Sequence, residues 1–151
     1  MALLDRFRLD GKRLFITGGS RGLGREMALA CAEMGADVVL VGRDLPSLET
    51  TAADIKALGR EAFIINADVS KSDECEAACH KALVEAGPIH ILINNAGGRR
   101  QNIPTHAMPL ETWRELGDLN HTSAFLCTQI LGGAMIARGQ GGRDITLARL
   151  S

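Results

Sequence analysis

Apolar residues recur along this chain in two rhythms. The segments around Leu14-Phe15-Ile16, Val38-Val39-Leu40-Val41, Phe63-Ile64-Ile65 and Ile89-His90-Ile91-Leu92-Ile93 are short, mostly continuous and rich in β-branched residues. Each predicts a buried strand, at about 12–17, 36–41, 61–66 and 89–93. Helical spacing fills the gaps. A first helix is expected over 22–34, ended by Gly35. In a second, Leu48, Ala52 and Ile55 fall at i, i+4 and i+7, with Asp44 as candidate cap, Pro46 in the first turn and Gly59 as the stop. A third starts at Ser72 as candidate cap, turns Cys75, Cys79, Ala82, Leu83 and Ala86 inward, and ends at Gly87-Pro88. The stretch 111–138 reads as mostly helical, carrying Trp113, Leu116, Leu119, Phe125, Leu126, Ile130, Leu131 and Met135, with Gly117 as a candidate break.

Strict alternation of strand and helix predicts an α/β chain with a doubly wound parallel sheet. Right-handed crossovers leave strand order 3-2-1-4 as the economical topology, a Rossmann half-fold in one domain over 1–151. No internal repeat, low-complexity tract or linker interrupts it.

The length of 151 residues suits a single domain with a sizeable core. A net charge of −1 favours neither nucleic acid nor an anionic membrane. No apolar run is long enough to span a bilayer, and the start of the chain is too poor in apolar residues for a signal peptide. Cys31, Cys75, Cys79 and Cys127 all fall in predicted helices and none forms a C-x-x-C pair. Cys75 and Cys79 share a helical face beside His80, a spacing open to a metal, but small core residues explain it and no metal is assigned. Free thiols suit the cytoplasm.

Chemistry concentrates in Thr17-Gly18-Gly19-Ser20-Arg21-Gly22-Leu23-Gly24, between the first strand and the first helix. In that setting glycines bind dinucleotides. Gly18 permits a tight turn, Gly22 lets backbone approach a pyrophosphate, and Gly24 lets helix pack on strand. The N–H groups of the helix start then face the phosphates. The spacing G-x-x-x-G-x-G is weak evidence alone. The other predicted strands end in Gly42-Arg43, Asp68-Val69 and Asn94-Asn95-Ala96-Gly97, so unusual residues far apart in sequence gather at one sheet edge.

With the Asn120 region, these motifs resemble the N-terminal half of the short-chain dehydrogenase/reductase family over about residues 10–143. The stretch 94–100 is similar to the gluconate 5-dehydrogenase and 3-oxoacyl-reductase-like members. The resemblance implies cofactor contacts from Gly18, Ser20, Arg21, Gly22, Leu23 and Gly24 of the glycine loop. It implies that Asp68 accepts from the adenine amino group and Val69 N–H meets the ring; Asp68 in a turn or cap is the alternative. Asn94, Ala96 and Gly97 would support the strand and the adenine-side ribose. Arg43, with Arg21 as a second cation, points to NADP(H) through the 2′-phosphate, while Asp44 keeps NAD(H) possible and a solvated Arg43 is the bland reading. Asn120 is the candidate catalytic residue, holding a water in the proton relay at a helix kink. His80, His90, His106 and His121 read as ordinary histidines without metal-ligand context.

The family's reaction passes hydride between nicotinamide and a carbonyl carbon. A Tyr gives the proton, a Lys lowers its pKa, and a Ser orients the carbonyl. The chain has no tyrosine, and its last lysine is Lys81. Where the Ser belongs, an ungapped reading places Arg149, with Ser151 off register. Residues 144–151 therefore read as an atypical tail, pointing to a frameshift or truncation before the second half of the fold. The expected function is an NADP(H)-dependent oxidoreductase of alcohols or ketones by ancestry. The alternatives are a catalytically dead nucleotide-binding fragment, or an interaction module pairing with full-length relatives. A homo-oligomer is expected, because a helix without its packing neighbours would expose Phe125, Leu126 and Ile130.

Overall fold

The computed structural model describes residues 2–98 and 101–148. Five strands form one parallel sheet in the order β3-β2-β1-β4-β5. They are β1 Arg13–Thr17, β2 Asp37–Gly42, β3 Ala62–Asn66, β4 Ile91–Asn94 and β5 Arg143–Thr146. The helices are α1 Gly22–Glu33, α2 Leu45–Ala57, α3 Ser72–Glu85 and a long helix over 110–138. Within the long helix, Asp118–Thr122 and Thr128–Gly132 are wound as π-helix. Gly117 does not interrupt it.

Alternate strand residues feed two cores, as the pleat requires. On one face Leu14, Ile16, Val38 and Leu40 meet Ala28 and Ala32 of α1 and Leu48, Ala52 and Ile55 of α2. On the other, Phe15, Val39, Val41 and Leu92 meet α3 and the long helix. Helices thus cover both faces, which is why β2 and β1 can be apolar without alternation. Two expected caps take other forms. Asp44 occupies the N-cap position of α2, but its carboxylate accepts from Ser47 Oγ rather than from backbone. At α3 the N-cap position is Lys71, and Ser72 begins the helix.

Residues expected in an atypical tail extend the sheet, since Arg143–Thr146 pairs in parallel with β4 over Ile91–Asn94. All four β5 residues are exposed, so Asp144 is not in a dry core. It accepts from Asn94 Nδ2 at 3.3 Å and Thr128 Oγ1 at 2.7 Å. Arg149 and Ser151 lie outside the described residues, as do Arg99 and Arg100. The long helix also keeps neighbours. Leu126 is buried and Ile130 packs against the core, so of the three residues expected at the surface only Phe125 is exposed.

Asp37 ties the start of β2 to both flanking strands. It accepts from Glu61 N–H at 3.0 Å and from Arg60 at 2.8 Å, and Arg13 lies 3.8 Å away. Burial pushes its carboxyl pKa up, but the Glu61 N–H and the Arg60 and Arg13 guanidiniums overcome this and hold it below the usual value. A carboxyl depressed in the folded state stabilises fully above its unfolded pKa and loses that contribution as pH falls through the folded one. Asp37→Asn is expected to cost about 1–2 kcal/mol at neutral pH. Urea unfolding should show the gap from wild type closing as pH falls through the folded pKa of Asp37; a gap that widens in acid would refute this.

Candidate functional site

The carboxyl ends of β1, β2, β3 and β4 open into a cleft of about 1260 Å³. It lies where β1 has β2 on one side and β4 on the other, the switch point at which doubly wound sheets leave a crevice.

The glycine loop forms its floor. A Cβ built on Gly24 would stand 2.0 Å from Gly18 O and 2.4 Å from Asn95 Nδ2, so no side chain fits there. Gly22 has φ +55 and open space around a built Cβ, leaving its backbone accessible from the cleft. Arg21 holds the N-cap position of α1 in extended backbone and makes no side-chain cap. The first N–H groups of α1 are therefore not capped from that position, and the positive end of the helix dipole faces the same side. Such an end suits an anion.

The structure places most of the expected site residues together. Gly18, Ser20, Arg21, Gly22, Leu23, Arg43, Asp68, Val69, Ala96 and Gly97 all line the cleft. Gly24 sits beneath them, fully packed. Ser20 O accepts from Thr51 Oγ1 of α2 at 3.3 Å. Arg21 and Arg43 are both exposed, and among the described residues neither has an acidic partner. By contrast, Arg25 pairs with Asp54 at 2.6 Å. Asp68 accepts from Ser70 N and Ser70 Oγ at 3.0 and 2.7 Å, so it shapes its turn as well as lining the cleft.

Two expected residues face elsewhere. Asn94 does not line the cleft; its Nδ2 turns toward Thr128 Oγ1 and Asp144, tying β4 to the long helix and β5. Asn120 clamps the segment after β4, accepting from Gly98 N–H at 2.8 Å and donating to Gly98 O and Leu116 O. It lies in the first π-helical turn rather than in a regular helix. The histidines are unremarkable chemically. His121, His80 and His106 are exposed, and His90 Nδ1 accepts from Arg13 N–H at 3.0 Å.

Sequence reasoning missed Asn95. Its Nδ2 donates to Thr17 O and Gly18 O at 3.1 and 3.0 Å, while Thr17 Oγ1 accepts from Asn95 N–H and Ala96 N–H. One buried amide thus staples the glycine loop to β4. The signal was present: of two adjacent Asn at a strand end, the period of two sends only one side chain to each face.

A family model described as short chain dehydrogenase matches residues 12–148. The chain is 35% identical over 148 residues to 2-dehydro-3-deoxy-D-gluconate 5-dehydrogenase of Escherichia coli (strain K12), covering 98% of this chain and 57% of that protein. A solved 7 alpha-hydroxysteroid dehydrogenase, complexed with NADH and 7-oxo glycochenodeoxycholic acid, superposes with TM-score 0.90 at 34% identity, covering 98% of this chain and 57% of the other. A metagenomic short-chain oxidoreductase in complex with NADP superposes with TM-score 0.88 at 34% identity, covering 95% and 64%. The chain spans about half the length of the curated relatives it matches.

Asn95→Ala removes the amide that holds Thr17 O and Gly18 O, and is expected to cost about 1–3 kcal/mol in urea unfolding. Hydrogen exchange should rise in the segment 17–24 before it rises in α2 or α3. Unchanged exchange there would show that the loop does not depend on the staple.

Proposed function

Because the chain belongs to the short chain dehydrogenase family, we propose that its cleft binds a nicotinamide dinucleotide, NADP(H) in preference to NAD(H), for an oxidoreductase acting on an alcohol or ketone. The observation that carries the reading is the glycine loop: an uncapped helix start, an accessible Gly22 backbone, and no room for a side chain at Gly24. A diphosphate fits those N–H groups without new desolvation of a charged side chain.

The remaining roles rest on placement. Ser20, Leu23 and Gly18 border the diphosphate position. Asp68 and Val69, across the cleft at the end of β3, would receive the adenine. Ala96 and Gly97 offer backbone to a ribose. Asn94 acts in this reading through the strand it anchors. Arg43 and Arg21 carry the NADP(H) preference: two guanidiniums at the cleft mouth, without acidic partners among the described residues, match a ribose 2′-phosphate. Asp44, the acid that would compete by binding ribose hydroxyls, also lines the cleft, but its carboxylate is engaged by Ser47.

The cofactor, when bound, supplies or accepts hydride. Proton transfer is a separate requirement. These 151 residues contain no tyrosine and no lysine beyond Lys81. Asn120 could order a water near the loop it clamps, but it is neither acid nor base. Loss of a general acid alone costs about 10²–10⁴ in rate. These residues are therefore expected to bind cofactor without sustained turnover.

The four free cysteines fit a reducing compartment, and we place the protein in the cytoplasm. No helix among the described residues is long and apolar enough to cross a membrane. Trp113, Phe125 and Ile136 are 64%, 61% and 83% exposed on the long helix, apolar area that suits a homo-oligomer.

Calorimetric titration should show tighter binding of NADP⁺ than of NAD⁺. Arg43→Ala should weaken NADP⁺ by about ten- to a hundredfold, the worth of a charge-assisted contact, and leave NAD⁺ nearly unchanged. NADPH oxidation with simple ketones should stay at background. Tighter NAD⁺ binding would reverse the cofactor assignment, and turnover at an enzymatic rate would defeat the expectation that these residues bind without it.

A further inference from the structure

Three of the four cysteines meet on the face of the sheet away from α1 and α2. Cys75 and Cys79 stand one turn apart on α3, and Cys127 comes from the long helix. All three are fully buried, and their sulfurs lie within 4.8 Å of one another. Cys127 Sγ is 3.6 Å from both Cys75 Sγ and Cys79 Sγ.

We infer that Cys75, Cys79 and Cys127 form a three-sulfur site for a soft cation, copper(I), which pins α3 to the long helix. The spacing is close to what one ion demands. Three sulfurs at about 2.3 Å from a central metal lie about 4 Å apart in a plane. Shifts of a few tenths of an ångström would seat the ion. The donor set then selects it. Sulfur ligands favour soft metals. Structural zinc takes four ligands, and no histidine or carboxylate joins this cluster among the described residues. Copper(I) needs no fourth ligand in this reading.

Packing alone would not require sulfur at these positions. The other inward positions of α3 nearby are Ala78 and Ala82, so this helix already fills the same layer with alanine. The segment carrying Cys127 is bracketed by π-helical turns at Asp118–Thr122 and Thr128–Gly132, a feature common at functional sites. Each thiol that ligates as thiolate releases one proton on binding.

The test is copper(I) added under reducing, oxygen-free conditions to the full chain during refolding, at limiting metal and against a copper(I) chelator. The expected result is one ion per chain, three sulfur neighbours by X-ray absorption, and a raised melting temperature. Cys31→Ser should leave all three unchanged, since Cys31 lies outside the cluster. Cys127→Ser should abolish retention. Cys79→Ala, the residue α3 already uses at neighbouring positions, should likewise abolish retention and serves where Cys127→Ser does not fold. No retained copper, a wild-type sulfur count below three, retention that survives both substitutions, or preferential four-coordinate zinc binding would each overturn the site. None of these readings depends on the nucleotide cleft.

Discussion

The contact between the first turn of α1 and the end of β1 governs the rest of the molecule. With Gly18 O and Asn95 Nδ2 occupying the space of a Gly24 side chain, helix and strand approach to backbone distance. That approach aims the α1 start at the carboxyl edge of the sheet instead of across its face. It also fixes Gly22 where its backbone faces open space. The staple from Asn95 makes this local geometry answer to β4, on the far side of the switch point. The cleft is therefore a consequence of sheet order: separate β1 from β4 and its floor loses its support. The arrangement has a cost, since Asn95 Oδ1 is buried with no partner among the described residues. That locally unfavourable group lies at the cleft itself, the kind of place where sequences tolerate such conflict.

Most of this architecture was legible because it rests on local signals. Leu14-Phe15-Ile16 and Val38-Val39-Leu40-Val41 are buried on both faces, so continuity betrayed them. Leu48, Ala52 and Ile55 lie on one stripe, so spacing betrayed α2. β5 has neither signal. Arg143-Asp144-Ile145-Thr146 is exposed throughout and carries an acid. Its pairing comes from backbone bonds to β4 and from a polar group around Asn94, Thr128 and Asp144, all remote in sequence. Leu126 and Ile130 were misjudged for a related reason. Their partners are on α3, and the expectation of exposure considered only neighbours beyond residue 143. At the site, residue types marked the strand ends that border the cleft, but which of Asn94 and Asn95 faces it is a matter of register that types do not encode.

The long helix shows how the same elements serve two ends. At Leu119 it closes the cleft, and the next residue, Asn120, holds the loop after β4. Further along, Cys127, Leu131 and Met135 seal the core against α3. The first π-helical turn carries Leu119 and Asn120, and the second carries Leu131. A π turn inserts an extra residue and rotates the helix beyond it, so successive segments of one helix can present different faces to different neighbours. A regular helix of this length would hold a single stripe and could not meet the loop, α3 and β5 with equal fit.

Charge placement gives the cleft a polarity that the composition conceals. The chain is nearly neutral at −1. Arg13 and Arg60 meet Asp37, and Arg25 meets Asp54, so these cations are consumed in holding the sheet and the first two helices together. Among the described residues Arg21 and Arg43 have no acidic partner, and both border the cleft. The acids beside them are already accepting hydrogen bonds, Asp44 from Ser47 and Asp68 from Ser70. The positive end of α1 adds to the two guanidiniums on the same side of the cleft. Both guanidiniums are exposed, so ions in solution screen them over about 8–10 Å, whereas the N–H groups of α1 act at contact distance and are screened far less. In the proposed reading, salt should therefore erode the contribution of the arginines well before that of the glycine loop, separating the groups assigned to choosing between dinucleotides from those assigned to the diphosphate.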